Sequence, residues 1–319
     1  MPRAGSPGQG RTSSDVRPCA RPCTVVRENG RVTSATDSPS PAAIRLIATD
    51  LDGTLLRDDK TVSDRTVAAL AAAEEAGIEV FFVTGRPARW MDVVSDHVHG
   101  HGLAICANGA AVADLHAGGE LVKVRPLERA IALDVVHSLR AAAPGTTFAV
   151  ELATGIHYEP AYPPFHLDPG ATVAVAEKLL HEETPGTGVP VLKLLAHHAE
   201  LTPDDFLALA RTTAGDRASF TRSSPTALLE VSGPGVSKAS TLELCCAERG
   251  ISPAEVVAFG DMPNDVEMLS WAGTSYAMGN AHPAALAAAS GRTATNSEDG
   301  VAVVIERIIA EHRASGIGR

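Results

Sequence analysis

Short apolar stretches alternate with helix-forming stretches in the first part of this chain, and each apolar stretch runs into a polar or glycine-containing loop. The pattern predicts strands over 46–48, 78–83 and 103–106, with a helix over 63–76 between the first two. Strands that alternate with helices form a parallel sheet with helices on both faces. We therefore expect an α/β fold with a doubly wound parallel sheet, whose ligands bind beyond the carboxyl ends of the strands.

The same alternation returns near the end of the chain, after a stretch of different texture. Helices are predicted over 238–249 and 300–312, and strands over 256–259 and 276–278. The intervening stretch, 127–228, contains six prolines between positions 160 and 190. Its short apolar stretches predict an α+β insert with a mostly antiparallel sheet.

These patterns predict three structural parts. Residues 42–126 and 229–319 together form the core, and 127–228 form the insert. Residues 1–41 are rich in Gly, Pro, Ser, Thr and Arg and lack apolar periodicity, which predicts a disordered tail. Cys19 and Cys23 in this tail have the spacing of half a zinc site, but no second Cys or His pair follows at finger spacing.

Charge and cysteine content narrow the range of partners and locations. The chain has 27 basic and 38 acidic residues, a net charge of −11, which argues against nucleic acid and anionic membranes as main partners. Neither an apolar run long enough to span a membrane nor the apolar region of a signal peptide is visible. The five cysteines are an odd number, and Cys245 and Cys246 are adjacent, which favours a reducing cytoplasm over a disulfide framework.

Two carboxylates, Asp50 and Asp52, directly follow the first predicted strand in the sequence Asp-Leu-Asp-Gly-Thr. Such neighbours repel each other unless a cation or a proton intervenes, and oxygen ligands suit Mg²⁺. One carboxylate can attack phosphorus as a nucleophile, and the other can exchange a proton with the leaving group and with water. A pair of capping or turn aspartates is the alternative, which the preceding apolar strand and the following Gly-Thr disfavour.

Three other polar residues follow predicted strands or begin a helix. The Thr84 hydroxyl and the next backbone N–H can bind phosphate oxygens, and Lys238 can neutralise phosphate charge. Helix capping by Thr84 and a solvated surface position for Lys238 are the respective alternatives. Asn108 follows the strand over 103–106, so we expect it to line the same crevice as Asp50 and Thr84.

A second acidic cluster, Gly-Asp-Met-Pro-Asn-Asp, follows another predicted strand. Asp261 can complete a metal site with Asp50, and Asn264 can hydrogen-bond phosphate. Asp265 can hold a metal-bound water or orient Lys238. Helix capping by Asn or Asp is the alternative for this cluster taken alone.

Taken together, these motifs resemble the haloacid dehalogenase superfamily, and within it the Cof-type phosphatases with a type IIB cap. The resemblance covers residues 44–312 and implies a Rossmann-like parallel-sheet core with the insert as its cap. The matching segments are DLDGTLL (50–56), VTGR (83–86), ANGA (107–110), GVSKASTL (235–242), GDMPNDVEML (260–269) and TNSEDGVA (295–302).

The resemblance implies catalytic roles for two residues and phosphoryl binding by two more. Asp50 is implied as the nucleophile and a Mg²⁺ ligand, and Asp52 as the general acid/base with its backbone carbonyl on the metal. Thr84 and Lys238 are implied to hold the phosphoryl group.

The remaining implied site residues come from the second acidic cluster and from the VTGR segment. Asp261 is implied to bind Mg²⁺ directly, Asp265 to bind it through water, and Asn264 to contact the substrate phosphate. Gly85 and Arg86 match positions near substrate, with a structural ion pair as the alternative role for Arg86.

The expected function is that of a Mg²⁺-dependent phosphatase that acts on small phosphate monoesters through an aspartyl-phosphate. Sugar phosphates are the favoured class, and a phosphoribityl compound or pyridoxal phosphate are options. A phosphomutase of the same superfamily and a non-catalytic sugar-phosphate binder are the alternatives. His97, His99 and His101 have the spacing of a metal site on a strand, but the neighbouring Gly100 and Gly102 favour a surface loop.

Overall fold

The computed structural model describes residues 43–95, 102–163, 168–181, 188–223, 226 and 228–314. The predicted tail with its cysteine pair, and the cluster of His97, His99 and His101, lie outside the described residues. The strands of the described part are β1 (Leu46–Thr49), β2 (Glu79–Val83), β3 (Leu103–Cys106), β4 (Ala111–Asp114), β5 (Glu120–Val124), β6 (Thr147–Leu152), β7 (Gly155–Tyr158), β8 (Val191–His197), β9 (Ser219–Thr221), β10 (Leu228–Ser232), β11 (Val256–Gly260), β12 (Thr274–Ala277) and β13 (Gly291–Arg292).

Helices connect or flank these strands in both parts of the fold. They are α1 (Asp64–Glu75), α2 (Asp92–Ser95), α3 (Arg129–Ala142), α4 (Ala176–Leu179), α5 (Pro203–Ala214), α6 (Lys238–Glu248), α7 (Val266–Trp271), α8 (Pro283–Ala288) and α9 (Gly300–Ala314). Among the described residues, none of these helices combines the length and the apolar character that crossing a bilayer requires.

The core is an eight-stranded sheet in the order β13-β12-β11-β1-β2-β3-β4-β5. Neighbouring strands from β13 to β3 are parallel, which confirms the predicted α/β fold. β1 lies between β2 and β11, so the two distant parts of the chain meet at the centre of one sheet. The antiparallel hairpin of β4 and β5 was not predicted, because β5 lies at the sheet edge and has no buried apolar alternation.

A second sheet of five strands, in the order β7-β6-β8-β10-β9, is antiparallel throughout. Its buried apolar residues, including Phe148, Leu194 and Leu229, form one cluster with Phe206 of α5 and Val135 of α3. These helices therefore cover one face of the sheet. The last residue of β10 in this sheet is Ser232, whereas the insert was predicted to end at 228. The limits of the insert and of the core stay a prediction.

Local sequence signals explain where several elements begin and end. Ser63 caps α1 by accepting a hydrogen bond from the backbone N–H of Thr66, and Gly77 has the positive φ of +79° that a helix stop needs. Helix α4 begins only at Ala176 and ends at Leu179. Val173 instead forms a parallel bridge with Tyr158, as expected for a β-branched residue beside a strand.

Candidate active site

The carboxyl ends of the central strands open into a cavity of about 710 Å³ between the two sheets. The predicted site residues that line it are Asp50, Asp52, Thr84, Gly85 and Asn264, with Arg86 beside them. Lys238, Asp261 and Asp265 lie next to Asp50, so the structure brings these nine residues together. Asn108, which was expected to line the same crevice, lies behind Asn264 and is not part of the cavity lining.

Asp50 lies at the floor of this cavity, where Lys238 connects two aspartates. The Lys238 Nζ donates hydrogen bonds to Asp50 Oδ1 at 2.5 Å and to Asp265 Oδ1 at 2.7 Å. Only 1% of Lys238 and none of Asp265 is exposed, so this is a buried triad. Lys238 is therefore not the solvated surface lysine of the alternative reading.

Asp265 also shapes the loop that carries Asp261. Its Oδ2 accepts hydrogen bonds from the backbone N–H groups of Asp261 and Met262, both at 3.0 Å. The Asp261 side chain also packs closely against Gly53, which has a φ of +79°, and a Cβ there would lie 2.3 Å from Asp261 Oδ2. This close approach explains the requirement for glycine after Asp52.

The donor set at this floor fits a hard divalent cation. Oxygen atoms of Asp50, Asp261 and Asp265 lie within 4.8 Å of one another, and all three residues are buried. Burial raises the pKa of Asp50 well above its usual value, Lys238 opposes the rise, and the two other carboxylates add to it. Burial and repulsion by Asp265 raise the pKa of Asp261 to about 7. When they are ionised, the three carboxylates carry more negative charge than the single Lys238 cation can balance. Their donors are all oxygen atoms, which suit Mg²⁺.

Asp52 has a different environment from Asp50. Arg86 donates to both of its oxygens, Nε to Oδ2 at 2.6 Å and Nη2 to Oδ1 at 2.8 Å, and Lys60 Nζ donates to Oδ1 at 2.9 Å. Partial burial raises the Asp52 pKa, but these hydrogen bonds and charges outweigh it and lower the pKa to about 2. Asp52 is therefore an ionised carboxylate at neutral pH, and Arg86 forms an ion pair.

Thr84 is buried at the turn after β2 and supports that turn. Its Oγ1 accepts a hydrogen bond from the Arg86 backbone N–H at 3.1 Å, and its carbonyl accepts one from the Asn108 N–H at 3.0 Å. The helix-capping alternative for Thr84 is therefore wrong, because the helical turn that follows begins at Ala88 and has Pro87 as its N-cap. Thr84 instead holds the turn before it and lines the cavity.

A second buried ionic network was missed by the sequence reasoning. Glu230 of β10 accepts hydrogen bonds at Oε2 from Lys193 Nζ at 2.5 Å and from Asn108 Nδ2 at 2.8 Å, and at Oε1 from Ser223. Asn264 Nδ2 then donates to Asn108 Oδ1 at 3.1 Å. The signal in the sequence was a single charged residue in each of two apolar strands, LLEVS and VLKLLAH.

This network connects the two sheets. Lys193 Nζ also donates to the backbone carbonyl of Gly85 at 2.7 Å, in the loop that follows β2. Burial raises the pKa of Glu230, but Lys193 and the other donors outweigh it and lower the pKa below its usual value. An ionised Glu230 accepts but does not donate, so it fixes which side of the Asn108 amide faces Asn264.

Comparisons with known proteins agree with this architecture. Residues 47–305 match the family model described as haloacid dehalogenase-like hydrolase. The chain is 29% identical over 266 residues to 5-amino-6-(5-phospho-D-ribitylamino)uracil phosphatase YitU of Bacillus subtilis, covering 81% of this chain and 94% of that protein. It is 30% identical over 245 residues to the HMP-PP phosphatase of Yersinia pestis, covering 75% and 85%. The solved HAD subclass IIB sugar phosphatase BT4131 shares the fold, with a TM-score of 0.67, 21% identity and coverage of 82% and 98%.

Proposed function

The chain belongs to the haloacid dehalogenase-like hydrolases, as a phosphomonoester hydrolase, and on that basis we propose that it is a Mg²⁺-dependent phosphatase of small phosphorylated metabolites that works through an aspartyl-phosphate. The observation that carries the proposal is the buried Asp50, held by Lys238 and next to Asp261 at the floor of the cavity. Sugar phosphates are the predicted class, and the phosphoribityl substrate in the name of one relative extends that range.

Asp50 is the group with the geometry of a nucleophile. Lys238 fixes its Oδ1, which leaves Oδ2 to attack the phosphorus of an ester in the cavity. The bond from Oδ2 to phosphorus forms while the bond from phosphorus to the leaving oxygen breaks. Thr84, Gly85 and Asn264 line the cavity beside Asp50, where they can bind the phosphoryl oxygens. Asp50 and Asp261 would hold Mg²⁺ directly and Asp265 through water, and the cation would supply neutralisation of the charge that these carboxylates share with the phosphate.

We assign general acid/base catalysis to Asp52. Its ionised form can act in the second half of the reaction, in which it takes a proton from the water that attacks the phosphorus of the aspartyl-phosphate while the bond from phosphorus to Asp50 breaks. To protonate the leaving oxygen in the first half, Asp52 must first carry a proton. It must also replace its contact with Arg86 by a contact with the leaving oxygen of the substrate. The Arg86 and Lys60 contacts thus favour the ionised form, which Asp52 has after the first half and uses as the base in the second.

The proposed function is tested by the release of inorganic phosphate from a panel of phosphate esters. We expect turnover in millimolar Mg²⁺ and none in excess chelator, because the buried carboxylates otherwise repel the substrate phosphate. Full turnover in chelator would rule out the metal requirement. Return of the phosphoryl group to a second position on the substrate, without phosphate release, would indicate a phosphomutase. Retained binding without any reaction would indicate a sugar-phosphate binder.

The role of Asp52 predicts a dependence on the leaving group. A sugar alkoxide needs a proton when it departs, whereas p-nitrophenolate does not, and general acid catalysis is worth roughly 10²–10⁴-fold. Asp52→Asn should therefore slow phosphoenzyme formation from a sugar phosphate far more than from p-nitrophenyl phosphate. Rapid-quench measurement of phosphoenzyme separates this step from hydrolysis. Equal losses with both esters would reduce Asp52 to a structural or metal-site residue.

We also propose that the second sheet and its helices act as a cap and that the protein works in a reducing cytoplasm. The cap assignment is supported by Lys193 and Glu230, which extend from this sheet to the loops of the core. The location is supported by the free, buried state of Cys106, Cys245 and Cys246 among the described residues.

A further inference from the structure

The five-stranded sheet has one face that its helices do not cover, and this face lines the cavity. Glu151 and Lys193 are register partners on β6 and β8, and Leu195 and Glu230 are partners on β8 and β10. All four line the cavity, as expected for alternate positions along paired strands. The substrate's leaving group, beyond the phosphate, must therefore lie against this face.

Apolar side chains make up much of the surface that the leaving group would meet. Ile156, Tyr158, Leu195 and Leu228 line the cavity from the sheet, and Trp90 and Met262 line it from the core. We call these six residues the apolar wall. Tyr158, Leu228 and Trp90 are only partly buried, so a bound molecule would cover area that is now exposed.

Each charged group that lines the cavity already has an oppositely charged partner. Lys60 and Arg86 both contact Asp52, and Lys193 contacts Glu230. Glu151 is held by Arg89, which approaches from the core. Within the described part of the chain, no lysine or arginine that lines the cavity is left without a carboxylate partner. A second anionic group on the substrate would have to compete with these carboxylates for a cation.

We propose that the cavity selects phosphate monoesters whose leaving group is uncharged and has an apolar or aromatic face, and that it disfavours leaving groups with a second anionic group. The inference rests on the proposed phosphatase function, and within the small phosphate esters it ranks sugar phosphates below esters with an apolar face. Burial of one ring face against the apolar wall favours such an ester by roughly 10-fold or more over a polyol of similar size, because polyol hydroxyls that face the apolar side chains lose water and gain fewer hydrogen bonds there.

The test compares kcat/KM for esters that all release an alkoxide, so that the chemical step is matched. The probes are 2-phenylethyl phosphate, glucose 6-phosphate and 6-phosphogluconate, which present an aromatic ring, a neutral polyol and a polyol with a carboxylate. We expect kcat/KM to fall at least about 10-fold at each step along this series. A flat or reversed order would overturn the inference while leaving the phosphatase function in place. No hydrolysis of any ester would instead refute the proposed function, and the inference with it.

A charge-introducing variant tests the same idea at a single position. Leu228 is partly exposed to the cavity on β10, so Leu228→Lys adds one unpaired cation to the apolar wall. The ratio of kcat/KM for 6-phosphogluconate over glucose 6-phosphate should rise about 10-fold or more, and turnover of 2-phenylethyl phosphate should fall. The matched control is Val122→Lys, which adds the same charge at a residue 56% exposed on the outer strand β5. An unchanged ratio in Leu228→Lys, or an equal rise in both variants, would contradict the proposed wall.

Discussion

Replacing Asp50 with asparagine should reduce turnover of every phosphate ester by roughly 10⁴-fold or more, the scale seen when a catalytic nucleophile is removed. The amide is a poor nucleophile and a weaker Mg²⁺ ligand, so no phosphoenzyme should form with sugar phosphates or with p-nitrophenyl phosphate. The measurement is burst-phase quench-flow together with steady-state phosphate release.

The substitution should leave the fold in place, which makes the activity loss interpretable. Asparagine has nearly the same shape, and the change removes one of three crowded buried carboxylates while Asp265 still pairs with Lys238. Melting temperatures in chelator should therefore stay close to that of the unsubstituted protein. A variant that still forms phosphoenzyme would place the nucleophile elsewhere, and Asp261 would be the next candidate because it lies in the same cluster.

The positions of the site residues followed from the sequence because they depend on strand ends. Asp50, Thr84 and Asp261 each come directly after a strand of one parallel sheet, and parallel strands place their carboxyl ends together. The contact between Lys238 and Asp265 was considered for the same reason, since a helix that starts at this edge brings its first residue to the cluster.

Other contacts depend on register, which the sequence patterns did not determine. Lys193 and Glu230 are 37 positions apart and meet only because β8 and β10 are antiparallel neighbours in one particular alignment. A slip of one residue would turn Glu230 to the face that the helices cover. The bidentate ion pair of Arg86 with Asp52 likewise depends on the turn after β2, where Thr84 Oγ1 holds the Arg86 N–H.

The substitution with the largest expected effect on stability is Lys238→Met. The lysine is 1% exposed and is the cation that separates Asp50 from Asp265. Methionine has a similar length but no charge, so buried carboxylates would face each other without a counter-ion in the absence of metal. Removing one partner of a buried ion pair costs about 3–5 kcal/mol, and we expect a loss of this size in the free energy of unfolding at pH 7 in chelator. The measurement is denaturant unfolding with Lys123→Met as the control, because Lys123 forms a more exposed pair with Glu248 that is worth less than about 1 kcal/mol.

The loss of stability in Lys238→Met should depend on pH, and the direction of that dependence identifies its cause. Asp261 has a folded-state pKa of about 7, raised from its usual value, so the folded protein binds more protons than the unfolded chain between that usual value and pH 7. Stability from this cluster therefore falls as pH rises through this window, and removing the Lys238 charge should steepen the fall. The difference in unfolding free energy between Lys238→Met and the unsubstituted protein should be smaller at pH 5 than at pH 7. Mg²⁺ should recover part of the stability that the variant loses, because it binds only the folded state. A loss that was the same at both pH values and indifferent to Mg²⁺ would mean that Lys238 acts through packing, and the carboxylates around it would then not share an uncompensated charge.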